Sequence, residues 1–223
     1  MNKNFIETYA YEKIKNFIDT ISKSLKIEKQ HINSKYMKEL DTIKKIIINT
    51  PLSDEKGRFA NPNLKIVFLQ IKHDNKYFIN SWGNFKRLDY GTGHELNYLC
   101  YCYQKNFEKD LEINEVCNLL IEYFKIIKMF INKFNIEPAG SKGMWTLDSY
   151  QLLPYVIGSA QASSQIDEWF QEILDRNNSI LYGRLFHRKW NDIYKDMFKM
   201  YDKEVLSRHV VTKSFIFSDC LKE

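Results

Sequence analysis

Apolar residues along this chain recur at three- and four-residue steps, the spacing that lines them up on one face of a helix. The clearest stretch is 113–134, where Ile113, Val116, Cys117, Leu120, Phe124, Ile127, Ile131 and Phe134 form one continuous stripe. Asp110 or Asn114 is placed to cap its start. A second stripe, Trp190, Ile193, Tyr194, Met197, Tyr201 and Val205, predicts a helix over 190–205. Further helices are predicted over 4–25, 36–49, 64–80, 93–107, 147–158 and 164–176. Strict alternation is nearly absent, and only Val210 to Phe217 reads as extended. No internal repeat occurs. The pattern is that of an all-α fold.

The 223 residues allow one large domain or two small ones. With 44% hydrophobic and 15% aromatic residues the chain is not a disordered one. No apolar run approaches the roughly 18 residues of a membrane span. Met1 to Lys15 is charged and amphipathic, without the apolar centre of a secretory signal. The four cysteines, three of them inside apolar patterns, fit a reducing compartment. The formal charge is +5, carried as +4 over residues 1–50, +3 over 51–86 and −2 over 87–160, the rest being balanced. The basic excess is mixed with Glu and Asp on helix surfaces. That describes solvated faces rather than the single basic, aromatic-studded face of a nucleic-acid binder.

Six of the eight glycines fall between 83 and 158. In a helical chain such residues mark sharp turns or close approaches. Two loops hold most of them, and each leads into a predicted helix. The first runs from Arg87 to Glu95 and carries Gly91 and Gly93. A helix start of this kind presents backbone N–H groups to an anion, and Arg87 would add a guanidinium fork. The plainer reading is a tight turn with Thr92 as N-cap. No strand is predicted before it, and it has neither the third glycine of a dinucleotide fingerprint nor the Gly-Lys-Ser/Thr ending of a P-loop. The second loop runs from Ile136 to Asp148, with Pro138 ending the preceding helix. Thr146 is placed to cap the next helix, which Pro154 should kink by freeing the Tyr150 carbonyl. Trp145 reads as core packing, and Asp148 as a carboxylate facing a helix dipole. Elsewhere the signals fall away. His94-Glu95 lacks the second histidine of a zinc-protease helix, and Cys100-x-Cys102 is not a zinc spacing. No serine or cysteine sits in a nucleophile elbow.

The two loops resemble a known family. Tyr90-Gly91-Thr92-Gly93-His94-Glu95-Leu96-Asn97 and Glu137-Pro138-Ala139-Gly140-Ser141-Lys142-Gly143-Met144-Trp145-Thr146-Leu147-Asp148 closely resemble the signatures of the phosphotyrosyl phosphatase activator (PTPA) family. Arg58-Phe59-Ala60-Asn61 is similar to its Arg-Phe-Gly-Asn. Gln151-Leu152-Leu153-Pro154 and Gly158-Ser159-Ala160-Gln161 are similar to its Gln-Phe-Leu-Pro and Gly-Ser-Ser-Gln, and 199–206 resembles its C-terminal helix. The likeness covers roughly 40–221.

The resemblance implies one helical domain over 1–223, with core, linker and lid subdomains around a cleft, and the shared glycines and helix starts of the loops at 87–94 and 137–146 place both along one cleft. Residues 1–40 would add an N-terminal helix. It implies an activator of serine/threonine protein phosphatase 2A that is also a peptidyl-prolyl cis-trans isomerase. Its partners would be the phosphatase catalytic subunit, with or without the scaffold subunit, and a proline-containing peptide. A cytoplasmic location, extending to the nucleus, goes with this. It further implies ATP and magnesium in a site completed by the phosphatase, with Arg87, Thr92 and Gly93 on the nucleotide and Gly143, Asp148 and Ser149 at the metal. Ser149 stands where the family carries a second acid. The 161–189 stretch is shorter than in the family, and Val210-Val211-Thr212-Lys213-Ser214 replaces its Pro-Val-x-Gln-His.

Isomerisation needs no nucleophile. It needs a desolvated amide held twisted against a resonance barrier of about 18–20 kcal/mol. Trp145, Tyr155 and the Gln151–Pro154 turn would wall such a cleft, with His94 or Gln151 as donor. Two other classes stay open: a non-catalytic module that docks on the phosphatase, and a helical nucleotide-binding protein.

Overall fold

A computed structural model describes residues 4–24, 35–139, 149–160, 181 and 190–223, with backbone only for 190–192. A 3₁₀ turn, Phe5–Glu7, leads into α1 (Tyr9–Lys23), whose start is capped by the Thr8 hydroxyl accepting from Tyr11 N. Then follow α2 (Lys35–Asn49), α3 (Leu64–Gln70), α4 (Lys76–Asn80), β1 (Asp89–Tyr90), α5 (Thr92–Phe107), α6 (Ile113–Phe134), β2 (Glu137–Pro138) and α7 (Leu153–Ala160). The chain ends through α8 (Trp190–Tyr201), a π-helical turn (Asp202–Leu206) and α9 (His209–Thr212). The fold class is the expected all-helical one. Among the described residues no helix is long and apolar enough to cross a membrane.

Helix α6 is the axis. Its stripe is buried from Val116 to Phe134, and it packs on α1, α2 and α5. Helix α7 lies between α1 and α8, and α4 lies along α5. The cap of α6 is neither Asp110 nor Asn114. Glu112 precedes the helix, and the Glu115 carboxylate accepts from Glu112 N at 2.9 Å. Asp110 instead accepts from the Tyr36 hydroxyl. At the far end Asn135 takes a left-handed conformation (φ 49°), as a residue that tolerates that region can. The chain is thereby turned into β2.

Two helix predictions and one of extended chain needed correction. The segment 64–80 is two helices, because Asn75 caps a new start: its Oδ1 accepts from Tyr77 N (2.9 Å) and Phe78 N (3.2 Å). The helix foreseen over 147–158 starts, among the described residues, only at Leu153. Pro154 is therefore its second residue, where a missing N–H costs nothing, and it does not kink the helix. The extended tail foreseen from Val210 is α9 up to Thr212, which is buried where this segment packs on α5. The helix foreseen at 164–176 lies outside the described residues.

Residues 209–222 return to the start of the fold. Ala10 N donates to Lys222 O at 2.9 Å, and the Tyr77 hydroxyl donates to Ile216 O at 2.6 Å. Cys220 and Leu221 are buried.

Candidate functional site

The first glycine loop is a tight turn. The Asn84 side-chain oxygen accepts from Lys86 N (3.0 Å) and Arg87 N (2.9 Å), and Leu88 N donates to Asn84 O at 2.7 Å. Leu88 adopts a left-handed φ of 56° to close the turn. This folds Arg87 back on Asp89, and its Nε donates to Asp89 Oδ2 at 2.7 Å. The remaining guanidinium N–H groups have no acceptor among the described residues, and the side chain is largely exposed.

Contrary to the sequence reading, two residues of strand precede the loop glycines. β1 and β2 pair in parallel, Asp89 with Glu137 and Tyr90 with Pro138, and Ala139 N donates to Tyr90 O at 2.7 Å. Two-residue strands are too short for alternation to show. The cap of α5 is Gly91, in extended backbone, with Thr92 as its first residue rather than its cap. Gly91 permits the close approach of the second loop, since a Cβ there would meet Ala139 Cβ at 2.9 Å. His94 N and Glu95 N both reach back to Gly91 O. Among the described residues the Thr92 and Gly93 amides have no acceptor, as is usual at a helix start.

Other segments close on the same place. Glu137 N donates to Phe59 O (2.9 Å) and Asn61 N to Phe134 O (2.7 Å), which seats 58–61 against the second loop. The Glu95 carboxylate, fully buried, accepts from Leu153 N (3.0 Å) and Leu152 N (3.2 Å) and so caps α7 from α5. Val211 of α9 stands 3.5 Å from where a Cβ of Gly93 would be.

The electrostatics are those of a buried polar cluster. Burial pushes Glu95 up to about 8, against the pull of the two amides it accepts from. Tyr123 donates to Ser81 O at 2.7 Å, so the Tyr90 hydroxyl, 2.9 Å away, donates to Tyr123. Burial holds the Tyr90 phenol far above its usual range. The Gln151 carboxamide is buried next to the Tyr90 hydroxyl, and among the described residues the Tyr201 hydroxyl near Glu95 has no hydrogen-bond partner. His94 Nδ1 lies 2.6 Å from Asn80 O, which only accepts, so the ring proton sits on Nδ1. Burial, chiefly, keeps the ring below its usual pKa, with Arg87 acting in the same sense and Asn80 O and Asp89 opposing.

Arg87, Thr92, Gly93 and His94 thus share the start of α5, and Gln151 sits just before α7, which Glu95 ties to α5. His94, when neutral, presents a lone pair at Nε2 toward Asp89 rather than a donor, its proton being committed to Asn80. Tyr155 is fully buried. Ser149 is half-buried in a short turn before Tyr150, whose hydroxyl donates to Ile136 O. Gly143, Trp145, Thr146 and Asp148 lie outside the described residues. Among the described residues no three His, Cys, Asp or Glu cluster to hold a metal. Sequence reasoning gave no role to Asp89 or Glu95. Glu95 had a signal: it shares the buried stripe of α5 with Tyr98, Leu99 and Cys102, an odd place for an acid. A separate cleft of about 610 Å³ opens toward the other end of α5, lined by Tyr36, Glu39, His73 and Tyr101 among others.

Comparison with known proteins gives a consistent picture. A family profile described as "Phosphotyrosyl phosphate activator (PTPA) protein" matches residues 68–184. The chain is 39% identical to a serine/threonine-protein phosphatase 2A activator of Encephalitozoon cuniculi over 233 residues, covering 99% of this chain and 94% of that protein. It is 34% identical to a serine/threonine-protein phosphatase 2A activator 2 of Kluyveromyces lactis, covering 66% of this chain and 50% of the relative, so it spans about half of that protein. In fold it is similar to the crystal structure of the PP2A phosphatase activator Ypa1, with a TM-score of 0.78 at 20% identity, covering 96% of this chain and 88% of the other.

Proposed function

Since the chain belongs to the PTPA family, we propose that it activates protein phosphatase 2A by docking on the catalytic subunit and presenting the start of α5 to ATP at their joint surface. The observation that carries this is convergence. Five separated segments, 58–61, 87–95, 137–139, 151–153 and 209–212, meet around one helix start.

The residues present fit a phosphate chain. The Thr92 and Gly93 amides stand at the positive end of a 16-residue helix, and Arg87 keeps guanidinium donors in reserve. Gly93 leaves the approach open. Magnesium would complete the charge of the nucleotide, and its ligands by resemblance are Gly143, Asp148 and Ser149. ATP and magnesium would supply charge neutralisation and a bridge to the phosphatase. Arg87 orients the anion, and the α5 amides bind it. Prolyl isomerisation is the accompanying activity of this reading. Gln151 is a buried amide beside the Tyr90 hydroxyl, next to the helix start that would wall the peptide.

Co-purification with the phosphatase catalytic subunit, with and without ATP, tests the reading. ATP-strengthened capture supports it, and equal capture in both conditions leaves a docking module. Failure to capture the subunit overturns it. Turnover of a proline peptide by the free protein, absent in a Gln151→Ala variant, tests the isomerase part.

A further inference from the structure

Asp89 is placed where a single carboxylate does two jobs. Oδ2 accepts from Arg87 Nε at 2.7 Å. Oδ1 is buried, has no hydrogen-bond partner, and lies 4.0 Å from His94 Nε2. The His94 proton is on Nδ1, held by Asn80 O. Nε2 is therefore a bare lone pair facing another bare lone pair. Two buried acceptors opposed in this way cost free energy. A proton on Nε2 removes the conflict and creates an ion pair. The backbone of Asp89 is pinned on both sides, by Asn84 N to its carbonyl (3.0 Å) and by the pairing with Glu137, so the carboxylate cannot swing away cheaply.

We propose that Asp89 is a positioning residue for anion recognition: it holds the Arg87 guanidinium in place and, through its second oxygen, makes His94 take up a proton from solvent when a phosphate chain binds. The inference deepens the nucleotide reading above and rests on it. Among the described residues the charged groups facing the ring are Asp89 and Arg87. α4 contributes the Asn80 carbonyl, and β1 contributes the Tyr90 ring, 5.7 Å away and tilted by 32°. In the free protein burial, and to a smaller extent Arg87, disfavours the charged ring. An anion that engages Arg87 cancels that opposition, while Asp89 remains to receive the imidazolium. By linkage, the anion then binds more tightly as pH falls through the range in which His94 titrates.

Two measurements decide it. In the free protein, ring ¹⁵N–¹H spectra should show neutral His94 as the Nδ1–H tautomer. Asp89→Asn should move its titration midpoint down, and Arg87→Ala, on an exposed side chain that folding does not need, should move it up. An Nε2–H tautomer, or a midpoint indifferent to both substitutions, overturns the proposal. In the complex with the phosphatase catalytic subunit, ATP titrations at about pH 7 in two buffers of different ionisation enthalpy report the proton. Wild type should take up a fraction of one proton. Asp89→Asn should take up none and bind about tenfold more weakly, the loss expected when a charge-assisted contact is misaligned. ATP binding to wild type without proton uptake also overturns the proposal. No ATP binding at all overturns the nucleotide reading instead, and the ring titration then still decides whether Asp89 governs His94.

Discussion

Gly93 occupies the second position of α5, where any residue fits the backbone and a Cβ would meet only ordinary contacts with Val211. The fold does not require glycine there, and glycine within a helix is destabilising. Gly93→Ala is therefore expected to stabilise the free protein by about 0.5–1 kcal/mol, a rise of roughly 1–4 °C in melting temperature. ATP affinity in the phosphatase complex should fall, because the added methyl group stands beside the amides that would meet the phosphates. A calorimetric melt and an ATP titration check both halves, and unchanged affinity would remove Gly93 from the site. Gly57 is the contrast. A Cβ there would lie 1.8 Å from Ala60 O, so Gly57→Ala should destabilise the 58–61 turn without any ligand involved.

Helices α5 and α7 are joined through Glu95, and that joint should respond to pH. Its carboxyl titrates near 8 in the native state, against a usual value of 4.5. The native state thus keeps a proton that the unfolded chain has already lost. Its contribution to stability is complete below about pH 4.5 and disappears as pH rises through about 8. Glu95→Gln cannot titrate. Wild type should therefore lose stability relative to Glu95→Gln steadily from about pH 5 to about pH 8, measured by urea unfolding, and a constant difference would mean that Glu95 is ionised in the native state throughout. At this same scale the limits of the sequence become concrete. The stripe of α6 was legible to the residue because its burial is periodic. The break before Asn75 was not, because Ile71 and Tyr77 continue an apolar pattern across the non-helical residues 71–75 that separate the helices. The meeting of the two loops followed from their shared glycines, but the pairing of Asp89 with Glu137 joins two-residue strands that have no periodicity to read. Glu95 reads as a first-turn acid until the structure shows where its carboxylate goes.

The whole molecule is closed by residues 209–222, which pack on α5, bond to α1 and bury Leu221 completely. Leu221→Ala should therefore behave as a core truncation and cost about 2–5 kcal/mol. Phe217→Ser, at a half-exposed ring, should stay within roughly 1 kcal/mol of wild type. A chemical-denaturation comparison of the two checks this, and equal effects would show the segment to be a loosely attached tail. The bond from Ala10 to Lys222 also has a consequence in time. On a ribosome α1 is made first and its last partner is made last. At roughly 5–20 residues per second, the apolar face of Ile14, Phe17, Ile18 and Ile21 waits on the order of ten to forty seconds for the remainder of the chain. During that interval it is greasy surface open to passing holdases.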